Sequence, residues 1–387
     1  MKETVIYKDR KNTNCEKWDG LLEEYGRDDL LPVWVADMDF EAPACVKEAL
    51  QEYIDFNVYG YYHVPDSFYD AIISWEEKYQ GYQIKKEWIR FIPGVVPAIY
   101  WLVQMWAKKG ESVLVMPPVY YPFLNSVKET GRKLVECPLV KDGERYTMDL
   151  ELFEKKIQTE NVKVFILCSP HNPVGRVWTK EELQAVLDIC ERYGVYVIAD
   201  EIHQDIIMSG YEKVTAAACG DYDEYLITLA SASKSFNLAG FQCAYAIIPN
   251  DELRADYDHL AKELHFTEGT NFAYIATQAA YNYGRPWLES VCELIEGNYH
   301  YLKDALVKEL PEAKIAPLEG TYLAWLDMSA YEKPEQMKET ILNTCHLAVD
   351  FGEWFGGEDY KSHIRLNLAT SRENIEEVVR RLQLIKK

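Results

Sequence analysis

The stretch YLITLASASKSFNLAG, residues 225–240, places Lys234 directly after an apolar run that is typical of a buried strand. Small residues and hydroxyl groups surround this lysine, with Ser231 and Ser233 on its N-terminal side. A lysine amine that is buried among uncharged neighbours has a lowered pKa and is suited to form a Schiff base with an aldehyde. Taken alone, a lysine flanked by serines is more often a solvated loop residue, so the functional interpretation depends on the other segments of the chain.

Two other apolar runs also end in polar residues. Residues 164–176, VFILCSPHNPVGR, lead into a turn that contains Asn172, and residues 195–203, VYVIADEIH, end on Asp200 and Glu201. Taken individually, Asp200 could be a helix N-cap and Asn172 an ordinary turn residue. Because ligands of open α/β sheets collect at the carboxyl ends of the strands, we expect Asn172, Asp200 and Lys234 to converge on one crevice.

This trio indicates pyridoxal 5'-phosphate as the cofactor. A buried aspartate keeps a pyridine nitrogen protonated, an amide NH2 donates to a phenolate oxygen, and a lysine binds the aldehyde carbon. The sequence has neither the Gly-x-Gly-x-x-Gly pattern nor the Walker phosphate loop, which argues against dinucleotides and nucleotides.

Apolar runs alternate with helix-like stretches along the chain. The runs at residues 113–116, 164–167, 195–199, 226–229 and 245–248 predict a mostly parallel α/β sheet with crossover helices. Beyond residue 250 the pattern becomes helical, and a shorter strand and helix alternation follows from residue 314. We expect an N-terminal arm over residues 1–45 that returns to the small domain, a large cofactor-binding domain over 46–285, and a smaller C-terminal α/β domain over 286–387.

Composition limits the classes of partner and the compartment. The 387 residues carry 41 Lys and Arg against 63 Asp and Glu, a formal net charge of −22, which argues against nucleic acid or an anionic membrane as a partner. Nine scattered cysteines without a Cys-x-x-Cys pair, and no apolar signal segment at the N-terminus, favour a cytoplasmic protein without a metal site.

Further motifs resemble one family of enzymes. The motifs are PVWVADMDF at residues 32–40, YGY at 59–61, PPVYYPF at 117–123, EGTYLAWLD at 319–327 and IRLN at 364–367. With the three segments above, they resemble the fold-type I pyridoxal-phosphate enzymes of the aminotransferase class I/II group, and within it the MalY/PatB-like cystathionine β-lyases. The resemblance implies a large domain with a mostly parallel, seven-stranded sheet and a homodimer with shared active sites.

The resemblance also implies roles for particular residues. Lys234 resembles the residue that binds the cofactor covalently, Asp200 the partner of the pyridinium nitrogen, and Asn172 the donor to the phenolic oxygen. Tyr120 matches the aromatic that stacks on the ring, and Arg365 matches the arginine that binds the substrate carboxylate. The remaining candidates are the phosphate-binding Gly94, Val95, Val96, Ser231 and Ser233, the cofactor contact His203, the substrate contact Ala36, and Tyr61, which reaches the phosphate and the substrate from the neighbouring subunit.

Two positions depart from the pattern of many transaminases. Those enzymes place a tyrosine three residues after the pyridinium-binding aspartate, where this chain has His203. They also place an arginine eight residues after the lysine, where this chain has Gln242. Both departures fit the lyase branch better, although His203 could equally be a packed histidine without a catalytic part.

The expected reaction is α,β-elimination of an L-cysteine conjugate such as cystathionine, which gives a thiol, pyruvate and ammonia. Two alternatives remain open at this point. An aminotransferase shares the steps up to the carbanion, and some relatives also restrain a transcription activator through their surface.

Overall fold

The computed structural model describes residues 3–386, so that residues 1, 2 and 387 of the predicted arm and C-terminal domain lie outside the described residues. The strands alternate with helices for most of the chain. The strands are β1 (Leu31–Pro32), β2 (Ile89–Ile92), β3 (Ser112–Val115), β4 (Lys133–Glu136), β5 (Val140–Asp142), β6 (Arg145–Thr147), β7 (Val162–Cys168), β8 (Tyr196–Asp200), β9 (Leu226–Ala230), β10 (Ala244–Ile247), β11 (Lys314–Ile315), β12 (Leu323–Asp327), β13 (Leu347–Ala348), β14 (Asp350–Phe351) and β15 (His363–Asn367).

The helices show the expected end signals where the sequence has them. Thr179 and Glu182 form a capping box at the start of α8, and Gly194 ends that helix in a left-handed conformation with φ 63°. The helices are α1 (Glu16–Asp19), α2 (Leu21–Tyr25), α3 (Ala44–Phe56), α4 (Asp66–Trp75), α5 (Val95–Trp106), α6 (Tyr121–Glu129), α7 (Leu150–Glu160), α8 (Lys180–Tyr193), α9 (Ala232–Ser235), α10 (Asp251–Glu263), α11 (Asn271–Tyr283), α12 (Arg285–Glu309), α13 (Pro334–Asn343), α14 (Glu353–Gly356) and α15 (Arg372–Leu382).

A seven-stranded sheet forms the centre of the large domain, in the order β2-β10-β9-β8-β7-β3-β4. Only β10 runs against its neighbours, and every other pair of adjacent strands in this sheet is parallel. Both faces are buried, because Val164 and Ile166 of β7 enter one hydrophobic cluster while Phe165 and Leu167 enter the other. This two-sided burial explains why the central strands appear in the sequence as continuous apolar runs.

The central strands end at a common level. Cys168 at the end of β7 pairs with Asp200 at the end of β8, and Asp200 in turn pairs with Leu229 of β9. The polar residues that follow these strands therefore emerge at one edge of the sheet, as the crevice prediction requires.

The C-terminal part builds a second sheet. It is four-stranded and antiparallel, in the order β11-β12-β15-β14. The N-terminal arm reaches this region, since β1 pairs in parallel with β13. The domain boundaries at residues 45 and 285 stay a prediction.

The predicted fold class is confirmed, with shifts of one or two residues at the ends of the five predicted strands. β2 and β4, the two edge strands of the large sheet, were not predicted from the sequence. Three of the four residues of β4 are exposed or half-buried, so this strand lacks the apolar run on which the prediction relied. No helix within residues 3–386 is long and apolar enough to cross a membrane.

Candidate active site

A cavity of about 300 Å³ lies at the carboxyl edge of the large sheet. Most of the predicted site residues line it, together with several residues that the sequence analysis did not single out. The predicted residues that line it are Ala36, Gly94, Val95, Val96, Tyr120, Asn172, Asp200, His203, Ser231, Ser233 and Lys234. Gln242, where many transaminases have an arginine, also lines it. The expectation that Asn172, Asp200 and Lys234 converge on one crevice is therefore met by the geometry.

Lys234 lies on the one-turn helix α9, directly after β9. Its Nζ donates a hydrogen bond of 2.6 Å to the carbonyl oxygen of Ala36 in the arm. Burial lowers the pKa of Lys234 to about 8, against the opposing effect of the carboxylate of Asp37. About a tenth of the amine is therefore neutral at pH 7, far more than for an ordinary lysine, and a nucleophilic lysine requires this neutral form.

Asp200 ends β8 and is only 4% exposed. One carboxylate oxygen accepts a hydrogen bond of 3.0 Å from the backbone N–H of Ile202. Burial raises the pKa of Asp200 to about 7, and this hydrogen bond and the charge of Lys234 oppose the rise. A buried carboxylate that faces the cavity is suited to pair with a cationic ring nitrogen.

His203 lies three residues after Asp200 and is also buried. Its ring packs edge-on against Tyr322 with 5.5 Å between the ring centroids, and its Nδ1 has no hydrogen-bond partner among residues 3–386. Burial lowers its pKa far below the usual value, and the positive charges of Lys234 and Arg365 add to the effect. The imidazole is therefore neutral at physiological pH.

Arg365 lies on β15 of the small sheet and reaches the loop after β7. Its Nη1 donates to Oδ1 of Asn172 at 3.1 Å, and its Nη2 donates to the carbonyl oxygen of Trp34 at 2.9 Å. Its guanidinium also forms an ion pair with the buried Asp350, and its Nε has no partner in the described part of the chain. Arg365 is not among the lining residues of the cavity, but it contacts the wall through Asn172.

The predicted phosphate-binding residues lie at the N-terminus of α5. Gly94 is its N-cap, and Val95 and Val96 are its first two residues, so that unpaired backbone N–H groups face the cavity. The hydroxyl of Ser231 is already engaged, since it accepts from the N–H of Ser233 and donates to the carbonyl oxygen of Cys243 at 2.7 Å. Of the two predicted serines, Ser233 is therefore the better placed donor to a phosphate.

The small domain fixes the arm over the cavity. Asn367 donates to the carbonyl oxygens of Val35 and Asp37, at 2.6 Å each. The hydroxyl of Tyr322 donates to the carbonyl oxygen of Ala36 at 2.8 Å. Ala36 is thus held beside Lys234 by both domains.

Tyr61 does not join the site in one chain, because it is fully exposed and does not line the cavity. Several apolar side chains on the same stretch are also exposed, namely Ile54, Phe56, Val58 and Tyr59. Its predicted role from the neighbouring subunit stays a prediction.

Several residues of the site were not predicted from the sequence. Asp350, the ion partner of Arg365, is the only charged residue of the buried segment LAVDF at 347–351, and this isolated carboxylate was a usable signal. Cys168, Ile202 and Cys243 line the cavity as apolar walls, a role that no sequence pattern distinguishes from ordinary core packing. No group of three or more His, Cys, Asp and Glu side chains in the described chain could hold a metal ion.

Comparisons with known proteins agree with this fold. The family model for aminotransferase class I and II matches residues 30–382. Cystathionine beta-lyase PatB of Bacillus subtilis is 36% identical over 97% of this chain and 97% of its own length. The chain therefore belongs to the aminotransferase class I and II family, and the predicted family is confirmed.

Two solved structures resemble the chain over nearly its whole length. The PLP-bound C-S lyase from Staphylococcus hominis has a TM-score of 0.92 and 34% identity, and the match covers 98% of this chain and 97% of that one. A PLP-bound protein of Clostridium difficile 630, described provisionally as an aminotransferase, has a TM-score of 0.96 and 37% identity over 99% of both chains.

Proposed function

We propose that this chain is a pyridoxal-phosphate-dependent carbon–sulfur β-lyase that cleaves L-cystathionine or a related L-cysteine S-conjugate. The observation that carries the proposal is the position of Lys234, whose amine of lowered pKa shares one cavity with the buried carboxylate of Asp200. The similarity to lyases over nearly the whole chain supports the reaction type.

The residues of the cavity fit the cofactor. The N-terminus of α5 offers N–H donors and a favourable electrostatic potential to a phosphate. Asp200 offers a carboxylate to a ring nitrogen, and Asn172 offers an amide to a phenolic oxygen. Each polar group of the cofactor therefore has a chemically matched partner, although the one arginine that many transaminases use for the phosphate is replaced by Gln242.

The chain's own residues would bind the substrate, orient it and move its Cα proton. Arg365 would bind the substrate carboxylate through two hydrogen bonds and so orient the Cα–H bond. Its Nε has no partner within residues 3–386, and one Nη would exchange its present acceptor for the substrate. Lys234, once its amine is free, would take the Cα proton as a general base. When bound, the cofactor supplies an electron sink for the carbanion at Cα, and Asp200 supports that sink by keeping the ring nitrogen protonated.

The overall reaction balances without a redox partner. The Cα–H and Cβ–S bonds break, the sulfur leaves with a proton as a thiol, and water converts the remaining three-carbon fragment to pyruvate and ammonia. No keto acid is consumed, which separates this reaction from transamination.

The test is incubation of the loaded enzyme with L-cystathionine in the absence of any keto acid. We expect homocysteine and pyruvate to form in equal amounts over many turnovers. A single turnover that leaves the pyridoxamine form of the cofactor and no thiol would refute the lyase proposal.

That second outcome would favour an aminotransferase, the alternative that the provisional description of the Clostridium difficile protein supports. The lyase is preferred because the curated relative with 36% identity is a cystathionine β-lyase and because His203 and Gln242 depart from the transaminase pattern. An additional regulatory role on a protein partner has no specific support in the structure.

We also propose a homodimer with shared active sites, located in the cytoplasm. The exposed apolar side chains around Tyr61 support the dimer, because a monomer rarely exposes so many on one short stretch. The cytoplasmic location rests on the sequence analysis alone.

A further inference from the structure

A buried hydrogen bond joins the two segments that carry the site's charged groups. Lys234 lies on α9, a helix of four residues, and a single turn of helix is not stable on its own. The next residue, Ser235, is fully buried, and its hydroxyl donates to Oδ2 of Asp205 at 2.6 Å. Asp205 lies five residues after Asp200, on the segment that also carries His203.

Asp205 is itself held by two side chains outside the cavity. Its Oδ1 accepts hydrogen bonds from Nε1 of Trp75 at 3.0 Å and from Nε2 of Gln80 at 2.7 Å. Trp75 ends α4, and Gln80 belongs to the π-helical turn that continues it. The carboxylate of Asp205 therefore ties α9 and the Asp200 segment to a third element that takes no part in the chemistry.

We propose that Asp205 and Ser235 are positioning residues, which set the place of the Lys234 amine relative to Asp200. The proposal rests on the proposed function, because it concerns the geometry in which that lysine meets the cofactor. It predicts that the hydrogen bond matters for reactivity beyond its contribution to stability. Small errors in position cost large factors in rate, since the reacting atoms must be aligned.

The experiment compares Asp205→Asn with the double variant Asp205→Asn/Ser235→Ala. In the single variant the amide oxygen can still accept from Trp75 and Gln80 while the amide NH2 donates to the Ser235 hydroxyl, so the link persists. In the double variant the link is lost, and no unpaired buried carboxylate is left to prevent folding. Ser112→Ala is the matched control, because Ser112 is another buried serine with one hydrogen bond, to Glu160, at the start of β3.

Two readouts separate positioning from stability. The first is the rate at which pyridoxal phosphate added to the cofactor-free chain becomes covalently attached, trapped by borohydride and measured by peptide mass. The second is the division of any lyase defect between kcat and KM. We expect both the attachment rate and kcat of the double variant to fall at least about tenfold below those of Asp205→Asn, with a smaller change in KM. Ser112→Ala should match the wild type in both readouts.

Equal attachment rates and equal kcat in the single and double variants would overturn the proposal, whatever their thermal midpoints. If the double variant differed from the single one only in its thermal midpoint, the hydrogen bond would contribute to stability alone, and the proposal would be wrong. If the wild type itself failed to attach the cofactor, the proposed function would fall, and this result is distinct from the other two.

Discussion

The Nζ of Lys234 donates a 2.6 Å hydrogen bond to the carbonyl oxygen of Ala36, which lies 198 residues earlier in the chain. Ala36 is held in turn by the Tyr322 hydroxyl, and its neighbours Val35 and Asp37 are held by Asn367. The small domain thus places a backbone acceptor beside the reactive amine. This arrangement leads to a prediction about the pH dependence of that amine.

Cofactor attachment should rise with pH around a midpoint of about 8. Only the neutral amine attacks an aldehyde, and burial lowers the pKa of Lys234 to about 8 from 10.5. The measurement is the rate of pyridoxal-phosphate attachment to the cofactor-free chain between pH 6 and 10. In Tyr322→Phe the Ala36 carbonyl loses its second donor and accepts more strongly from the charged amine, so the midpoint should rise. A rate that still climbs steeply at pH 10 in the wild type would contradict the account.

Asp200→Asn should lower the activity without lowering the stability of the fold. The amide cannot keep a ring nitrogen protonated, so we expect kcat to fall by about a hundredfold or more. The fold should not weaken, since burial already raises the pKa of Asp200 to about 7 and a neutral side chain of the same shape can keep the hydrogen bond from Ile202. Lyase kinetics and urea unfolding of the same preparation check both parts. A variant that keeps more than half of the wild-type kcat would remove Asp200 from the mechanism.

The elements that could be predicted from the sequence are those whose signals lie within one short segment of the chain. Strands β7, β8 and β9 are buried on both faces and appear as continuous apolar runs, and the polar residues after them identified Asn172, Asp200 and Lys234. Edge strand β4 gave no such signal, because it shares a ladder with one neighbour only and keeps two exposed side chains.

The contacts between distant segments could not be predicted, because their energetics depend on the tertiary structure. Nothing near residue 365 shows that its guanidinium meets Asp350, and nothing near residue 231 shows that its hydroxyl proton is donated to Cys243. Both contacts arise only when strands or loops far apart in sequence pack together. The resemblance to a known family supplied roles for these residues, but not their partners.

The buried carboxylate of Glu76 should make the free energy of unfolding depend on pH. Oε1 of Glu76 accepts from Gln204 and from the Tyr245 hydroxyl, while Oε2 has no partner within residues 3–386. Burial raises the pKa of Glu76 to about 7 from 4.5. The unfolded chain releases this proton near pH 4.5 and the folded chain near pH 7, so the stability that the protonated group provides is lost as pH rises through that interval.

Glu76→Gln removes this loss because the amide does not titrate. Relative to the wild type, the free energy of unfolding of the variant should increase by up to about 3 kcal/mol between pH 5 and 7. Above pH 7 the difference should stay constant. Urea unfolding at several pH values measures the difference. Glu77→Gln is the matched control, since Glu77 is the exposed neighbour of Glu76 and the substitution is the same. A flat difference for Glu76→Gln would show that the carboxylate is ionised throughout.

Complementation between two inactive variants tests the shared site. Lys234→Ala should be inactive through its own site, and Tyr61→Ala should be impaired through its partner's site. In a mixed dimer one site carries both defects and the other carries neither, so co-refolding equal amounts should restore about a quarter of the wild-type activity. The measurement is the pyruvate formed by the mixture compared with the sum of the two variants. No gain in the mixture would mean that Tyr61 acts within its own chain or not at all.

The covalent attachment at Lys234 tests the central claim most directly. The purified chain, loaded with pyridoxal phosphate and treated with borohydride, would be digested and its peptides weighed. We predict that the mass of the reduced cofactor is carried by the peptide that contains Lys234, and that Lys234→Ala carries it nowhere. Attachment to another lysine, or no attachment in the wild type, would contradict the account.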